Sequence, residues 1–189
     1  MNRTLEEKQE AIRVQAEIED SVVVSNFRLE TERLFRNLGD KSASDIEDIV
    51  RIFVEQKIYD YDLNIGIIDV IVSGSRCRGF ENITSDIDVV VEYEGIYREY
   101  EIFNILHEDS LKIDGIKVDI NPINAAETGT LKEYLPSVEK YLLEKKIEKN
   151  VGTLFTKIEK TVASTGYAAL SGELEGSVTK LLPQRHRVR

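Results

Sequence analysis

Asp114-Gly115, inside the run "LKIDGIKVDINPI", narrows the folds open to this chain more than any other feature. An Asp-Gly pair between alternating apolar segments is among the strongest signals for a two-residue β-hairpin. A tight turn also sets the register of the strand that follows it, and with it the face on which Asp119 stands between Val118 and Ile120. A slip of one residue would send that carboxylate into the core. The chain therefore needs a sheet with one face able to carry charge.

Two further runs read as strands, Ile67 to Val72 and Ile87 to Val91, each short, rich in β-branched residues and bounded by turn residues. The remaining periodicity is helical. Residues 4–20 carry apolar positions at Leu5, Ile12 and Ile18, and residues 22–38 carry Val23, Phe27, Leu34, Phe35 and Leu38 before Gly39, which is expected to stop that helix. Ser44-Asp45-Ile46-Glu47 has capping-box spacing and precedes Ile49, Val50, Phe53 and Val54 at a helical period. Residues 97–107 repeat apolar positions through Tyr97, Tyr100, Phe103 and Leu106. Residues 130–149 read as a helix broken or kinked at Pro136, and 153–163 as one more.

The strand at 87–91 carries the chemistry. Asp86 and Asp88 are two apart and share a face, while Ile87 and Val89 point to the core. Burying two like charges costs several kcal/mol unless something positive stands between them. With Asp119, three carboxylates from two strands can converge. Hard oxygen donors in that number suit Mg²⁺, which takes one or two carboxylates and fills its shell with water and phosphate oxygens. The Gly74-Ser75 turn follows a strand, and its N–H groups and the Ser75 hydroxyl at the start of a following short helix form a phosphate cradle, with Arg76 and Arg78 beside it. Carboxylates for a metal and a turn for phosphates are the parts of phosphoryl or nucleotidyl transfer.

Composition removes several alternatives. A net charge of −10 is the wrong sign for a broad nucleic-acid footprint, although a local basic patch stays open. A single cysteine, Cys77, excludes an internal disulfide framework and reads as a small packing residue. No stretch approaches the roughly 20 apolar residues that span a bilayer, and "MNRTLEEKQE" is too acidic for a targeting peptide. The expectation is a cytoplasmic protein. His107 and His186 have no partner spacing and read as surface residues. Lys112 and Lys117 either meet phosphates or solvate the hairpin edge.

Gly74-Ser75, then residues 76–85, then Asp86-Ile87-Asp88-Val89, and later Val118-Asp119-Ile120, resemble the signature of the DNA polymerase β-type nucleotidyltransferase superfamily, in particular its minimal members. The resemblance covers about residues 45–125; Cys77 stands where those members usually have alanine. It implies an α+β fold with a small mixed sheet and flanking helices. It also implies two Mg²⁺ ions, or Mn²⁺, held by Asp86, Asp88 and Asp119, the last also activating an acceptor hydroxyl. An NTP such as ATP would be gripped by Gly74 and Ser75. The implied reaction moves a nucleoside monophosphate to a protein, a small molecule or a nucleic-acid end. Among similar members some modify a toxin, which implies a toxin-like partner, and the part from "LFRNLGDKSASDIEDIV" through "ETGTLKEYLPSVEKYL" is similar to nucleotidyltransferase regions of large multi-domain mobile-element proteins, which implies a multi-domain protein partner. It also leaves open an idle nucleotide-sensing module. The organisation expected is a helical arm at 1–43, the core at 44–125, helices at 126–163 and a flexible basic tail at 164–189, ending in Arg185, Arg187 and Arg189, which could bind nucleic acid.

Overall fold

The computed structural model describes residues 22–164. The helix expected at 4–20, His186 and the arginine-ended tail lie outside the described residues. The chain divides into one compact unit through Glu144 and a second from Lys145.

Helix α1, residues 22–34, buries Phe27 and Thr31. It ends earlier than its apolar pattern suggested. Leu38 and Lys41 exchange backbone hydrogen bonds across a tight turn, and Gly39 at φ +60° makes that turn rather than capping the helix. Helix α2 (Ala43–Asp60) follows at once. Its capping box is Ser42 with Asp45, not Ser44 with Glu47: the Asp45 amide donates to Ser42 Oγ at 3.2 Å and the Ser42 amide to Asp45 Oδ2 at 2.7 Å. Glu47, released from capping, accepts the Val72 amide at 2.9 Å and pairs with Arg28. Ala43, Ile46, Val50, Val54 and Lys57 form the buried stripe.

Strands β1 (Ile65–Val72), β2 (Ile87–Gly95), β3 (Lys112–Ile113) and β4 (Ile116–Ile123) form one sheet in the order β1-β2-β4-β3. β1 runs antiparallel to β2, and β2 runs parallel to β4 through the crossover helix α3 (Glu99–Glu108). The sheet is mixed and the fold is α+β, as the sequence implied. Asp114 and Gly115, at φ +50° and +81°, make the two-residue turn that pairs Ile113 with Ile116 and Lys112 with Lys117.

One face of the sheet is apolar: Val70, Val72, Ile87, Val89, Val91, Val118 and Ile120 are buried, with α2 packed on β1 and α3 on β4. Each such side chain contributes about 2 kcal/mol on leaving water. A one-residue slip of β2 would exchange Ile87, Val89 and Val91 for Asp88 and its neighbours, so the register is pinned by the core. The opposite face carries Asp88 and Asp119, which face each other directly across the parallel β2–β4 pair.

Helix α4 (Leu131–Ser164) is one element where two helices were expected. Pro136 withholds one amide hydrogen near its start without ending it, and Gly152 lies inside it rather than in a break. Its first turn is tied to the charged face of the sheet by the Leu131 amide, which donates to the buried Glu92 carboxylate at 3.0 Å. Beyond Glu144, its residues in the second unit expose Ile147, Val151, Leu154 and Ile158. No helix among the described residues is long and apolar enough to cross a membrane.

Candidate active site

The Gly-Ser turn is built onto β2 by the backbone. As β1 ends, the Ser73 amide donates to the Asp88 carbonyl at 2.8 Å, which sets the next residue directly beneath the Asp88 side chain. Gly74 adopts φ +63° there, and a Cβ at that position would stand 1.8 Å from Asp88 Oδ2. Only glycine admits this approach. Ser75 begins the single 3₁₀ turn Arg76–Arg78, and its side chain makes no capping hydrogen bond. The Phe80 amide closes the turn onto the Ser75 carbonyl at 2.9 Å.

Arg76 and Arg78, expected beside the phosphates, are 6% and 7% exposed and spend their donors on the chain. Arg76 Nη2 donates to the Ser85 carbonyl at 2.7 Å and Nε to the Asp86 carbonyl at 3.0 Å. The guanidinium thereby braces the loop that brings Asp86 to the start of β2. The same loop is stiffened by Asn82, whose Oδ1 accepts from the Thr84 amide and hydroxyl at 2.9 and 2.7 Å. Arg78 donates to Thr31 Oγ1 at 2.8 Å and to the Cys77 carbonyl at 3.0 Å, pairs with Glu139, and lies 4.2 Å from the centre of the Phe27 ring. It ties the turn to α1 and α4. Cys77 is buried, and that burial pushes its thiol up to about 12, which leaves it protonated and inert as a nucleophile.

The carboxylates differ in setting. Asp86 is exposed just before β2, and Asp88 is half-buried. Burial first, then the charges of Asp119 and Asp86, push the Asp88 carboxyl above its ordinary range, with Arg76 opposing. Asp119, 47% exposed on β4, accepts from His107 Nε2 at 3.0 Å, with Lys117 Nζ 3.8 Å away. Among the described residues, no three His, Cys, Asp or Glu side chains are drawn into a closed metal-ligand cluster.

Three neighbours were not legible as site residues. His107 is not a free surface residue, since its side chain is only 19% exposed and bonded to Asp119. Asn121 follows Asp119 by two on the same strand face, and its amide lies 3.4 Å from the Tyr134 hydroxyl of α4. Burial raises the Tyr134 hydroxyl's pKa, Asn121 opposes the rise, and the Asp88 charge adds to it, so Tyr134 lies within electrostatic reach of the site. Spacing along the chain signals none of these contacts, because each joins two elements.

A mixed sheet with a glycine turn locked against one strand carboxylate, and a second carboxylate directly across the parallel pair, defines an α+β core of the nucleotidyl-transfer class. Residues 53–149, which include Gly74, Ser75, Asp86, Asp88 and Asp119, match the family model of the nucleotidyltransferase domain, and the chain belongs to that family. No curated protein and no solved structure matches the chain.

Proposed function

We propose that the chain transfers the nucleoside monophosphate of an NTP to an acceptor hydroxyl, releasing pyrophosphate, in a Mg²⁺-dependent reaction. The observation that supports this most is the interlock of Gly74 with Asp88, in a chain of the nucleotidyltransferase family, because it puts a phosphate-accommodating turn against a carboxylate. The donor set fits the metal: all three side chains offer hard oxygens, and at Asp88 the charges of Asp119 and Asp86 outweigh the opposing Arg76. Asp86, Asp88 and Asp119 would hold the cations. Mg²⁺, when bound, neutralises phosphate charge and lowers the pKa of a coordinated hydroxyl.

The chain's own residues do the positioning. Gly74 and Ser75 offer backbone N–H groups and a hydroxyl to the terminal phosphates, and Arg76 keeps Asp86 in place. The acceptor oxygen forms its bond to the α-phosphorus as the bond to pyrophosphate breaks, and the acceptor's proton passes towards the Asp119 carboxylate. The acceptor is a protein, a small molecule or a nucleic-acid end, and the setting is the cytoplasm. The test uses NTPs labelled at the α-phosphate, with Mg²⁺, against cell lysate and RNA. Label should become covalent with the wild type and not with Asp88→Asn. Equal labelling by both would overturn the proposal.

A further inference from the structure

We propose that His107 is a positioning residue that fixes the Asp119 carboxylate in one orientation; the inference rests on the nucleotidyl-transfer reading above for its functional consequence. Asp119 sits on a strand paired on one edge with the two-residue β3, and nearly half its side chain is exposed. An aspartate so placed has freedom in both side-chain torsions. His107 removes it. The imidazole is held before it reaches Asp119: its ring stacks on Phe103, one helical turn back, with centroids 3.9 Å apart and planes at 24°. Nε2 then meets Asp119 Oδ1 at 3.0 Å.

A ring anchored on its own helix can donate along one direction only, so it selects one rotamer of its partner. Oδ1 is the oxygen engaged. Lys117, at 3.8 Å from the same oxygen on a long and half-exposed side chain, adds charge without comparable geometric control. The helix that supplies His107 is the crossover joining β2 to β4. One element therefore places the two carboxylate strands side by side and supplies the group that orients the second carboxylate. Such support of a carboxylate ligand is worth about 10- to 100-fold in metal affinity or activity, because the ordering is completed in the fold rather than on substrate binding.

The experiment compares wild type, His107→Ala and His107→Gln; the glutamine amide supplies a donor near the position of Nε2. Three readings are taken: the Asp119 Hα–Hβ couplings by NMR, Mn²⁺ affinity by electron paramagnetic resonance with a non-hydrolysable ATP analogue, and single-turnover transfer. Wild type should show two unequal couplings, the signature of one rotamer. His107→Ala should average them, weaken the weaker Mn²⁺ site and slow transfer by about 10- to 100-fold, and leave analogue affinity and melting midpoint unchanged. His107→Gln should recover much of the loss. Unchanged couplings in His107→Ala would overturn the proposal whatever the activity. Averaged couplings in His107→Ala, with no Mn²⁺-dependent analogue binding even in wild type, would uphold the positioning and instead defeat the nucleotidyl-transfer reading.

Discussion

Gly74 lies under the Asp88 carboxylate so closely that a Cβ on it would stand 2.4 Å from Asp88 Cγ as well as 1.8 Å from Oδ2. Two separate demands therefore converge on one residue, an open left-handed backbone and an absent side chain. Gly74→Ala should destabilise the fold by about 1–2 kcal/mol from the backbone alone and expel the Asp88 side chain from its place. Urea unfolding and nucleotide titration of one preparation check this. An alanine variant with unchanged stability and affinity would show that the interlock has no consequence.

Asp88 gives a pH dependence whose sign follows from its environment. A carboxyl whose pKa is raised on folding holds its proton more tightly in the native state. Its stabilising contribution is fully present below the ordinary value of 3.8 and is lost as pH rises through the raised one. In EDTA, the stability of the wild type should therefore fall through that window relative to Asp88→Asn, which lacks the titration. At neutral pH the asparagine variant should be as stable or more stable. A loss above about 2 kcal/mol on substitution would instead mark Asp88 as a paired structural anchor.

Arg78 and Glu139 form a pair whose halves should behave unequally. Arg78 is buried against Phe27, Thr31 and the Cys77 carbonyl, so Arg78→Met strands acceptors and should cost about 3 kcal/mol. Glu139 is 47% exposed, and Glu139→Gln should cost less than about 1 kcal/mol. Chemical denaturation of the two variants decides between this structural role and direct contact with the nucleotide. An Arg78→Met protein of normal stability that binds nucleotide poorly would favour the latter.

Cys77 supplies a test of the turn's rigidity. A buried thiol pushed up to about 12 has almost no thiolate at neutral pH. A disulfide reagent should label it only as fast as the chain opens, and nucleotide should slow that labelling further. Labelling at the rate of an exposed thiol would contradict the packing of the 3₁₀ turn.

What could be read from residues alone was local or periodic. Asp114-Gly115 announced its hairpin because the turn chemistry is complete within two residues, and the alternation of Ile87, Asp88 and Val89 announced its faces because a strand has a period of two. The capping box was placed two residues late, since Ser42 and Ser44 offer the same chemistry and only the tertiary use of Glu47 by Val72 and Arg28 separates them. His107 escaped notice for a related reason. Its bond to Asp119 joins the end of a helix to the middle of a strand, and no spacing rule covers that. Arg76 and Arg78 were read as phosphate neighbours from sequence proximity, whereas the tight turn carries both guanidiniums into the protein.

The most direct measurement is calorimetric titration of a non-hydrolysable ATP analogue into the wild type and Asp88→Asn, with Mg²⁺ and then with EDTA. Binding should appear with wild type and Mg²⁺, and should vanish in EDTA and in Asp88→Asn. Equal binding with and without Mg²⁺ would contradict a metal-dependent site at Asp86, Asp88 and Asp119.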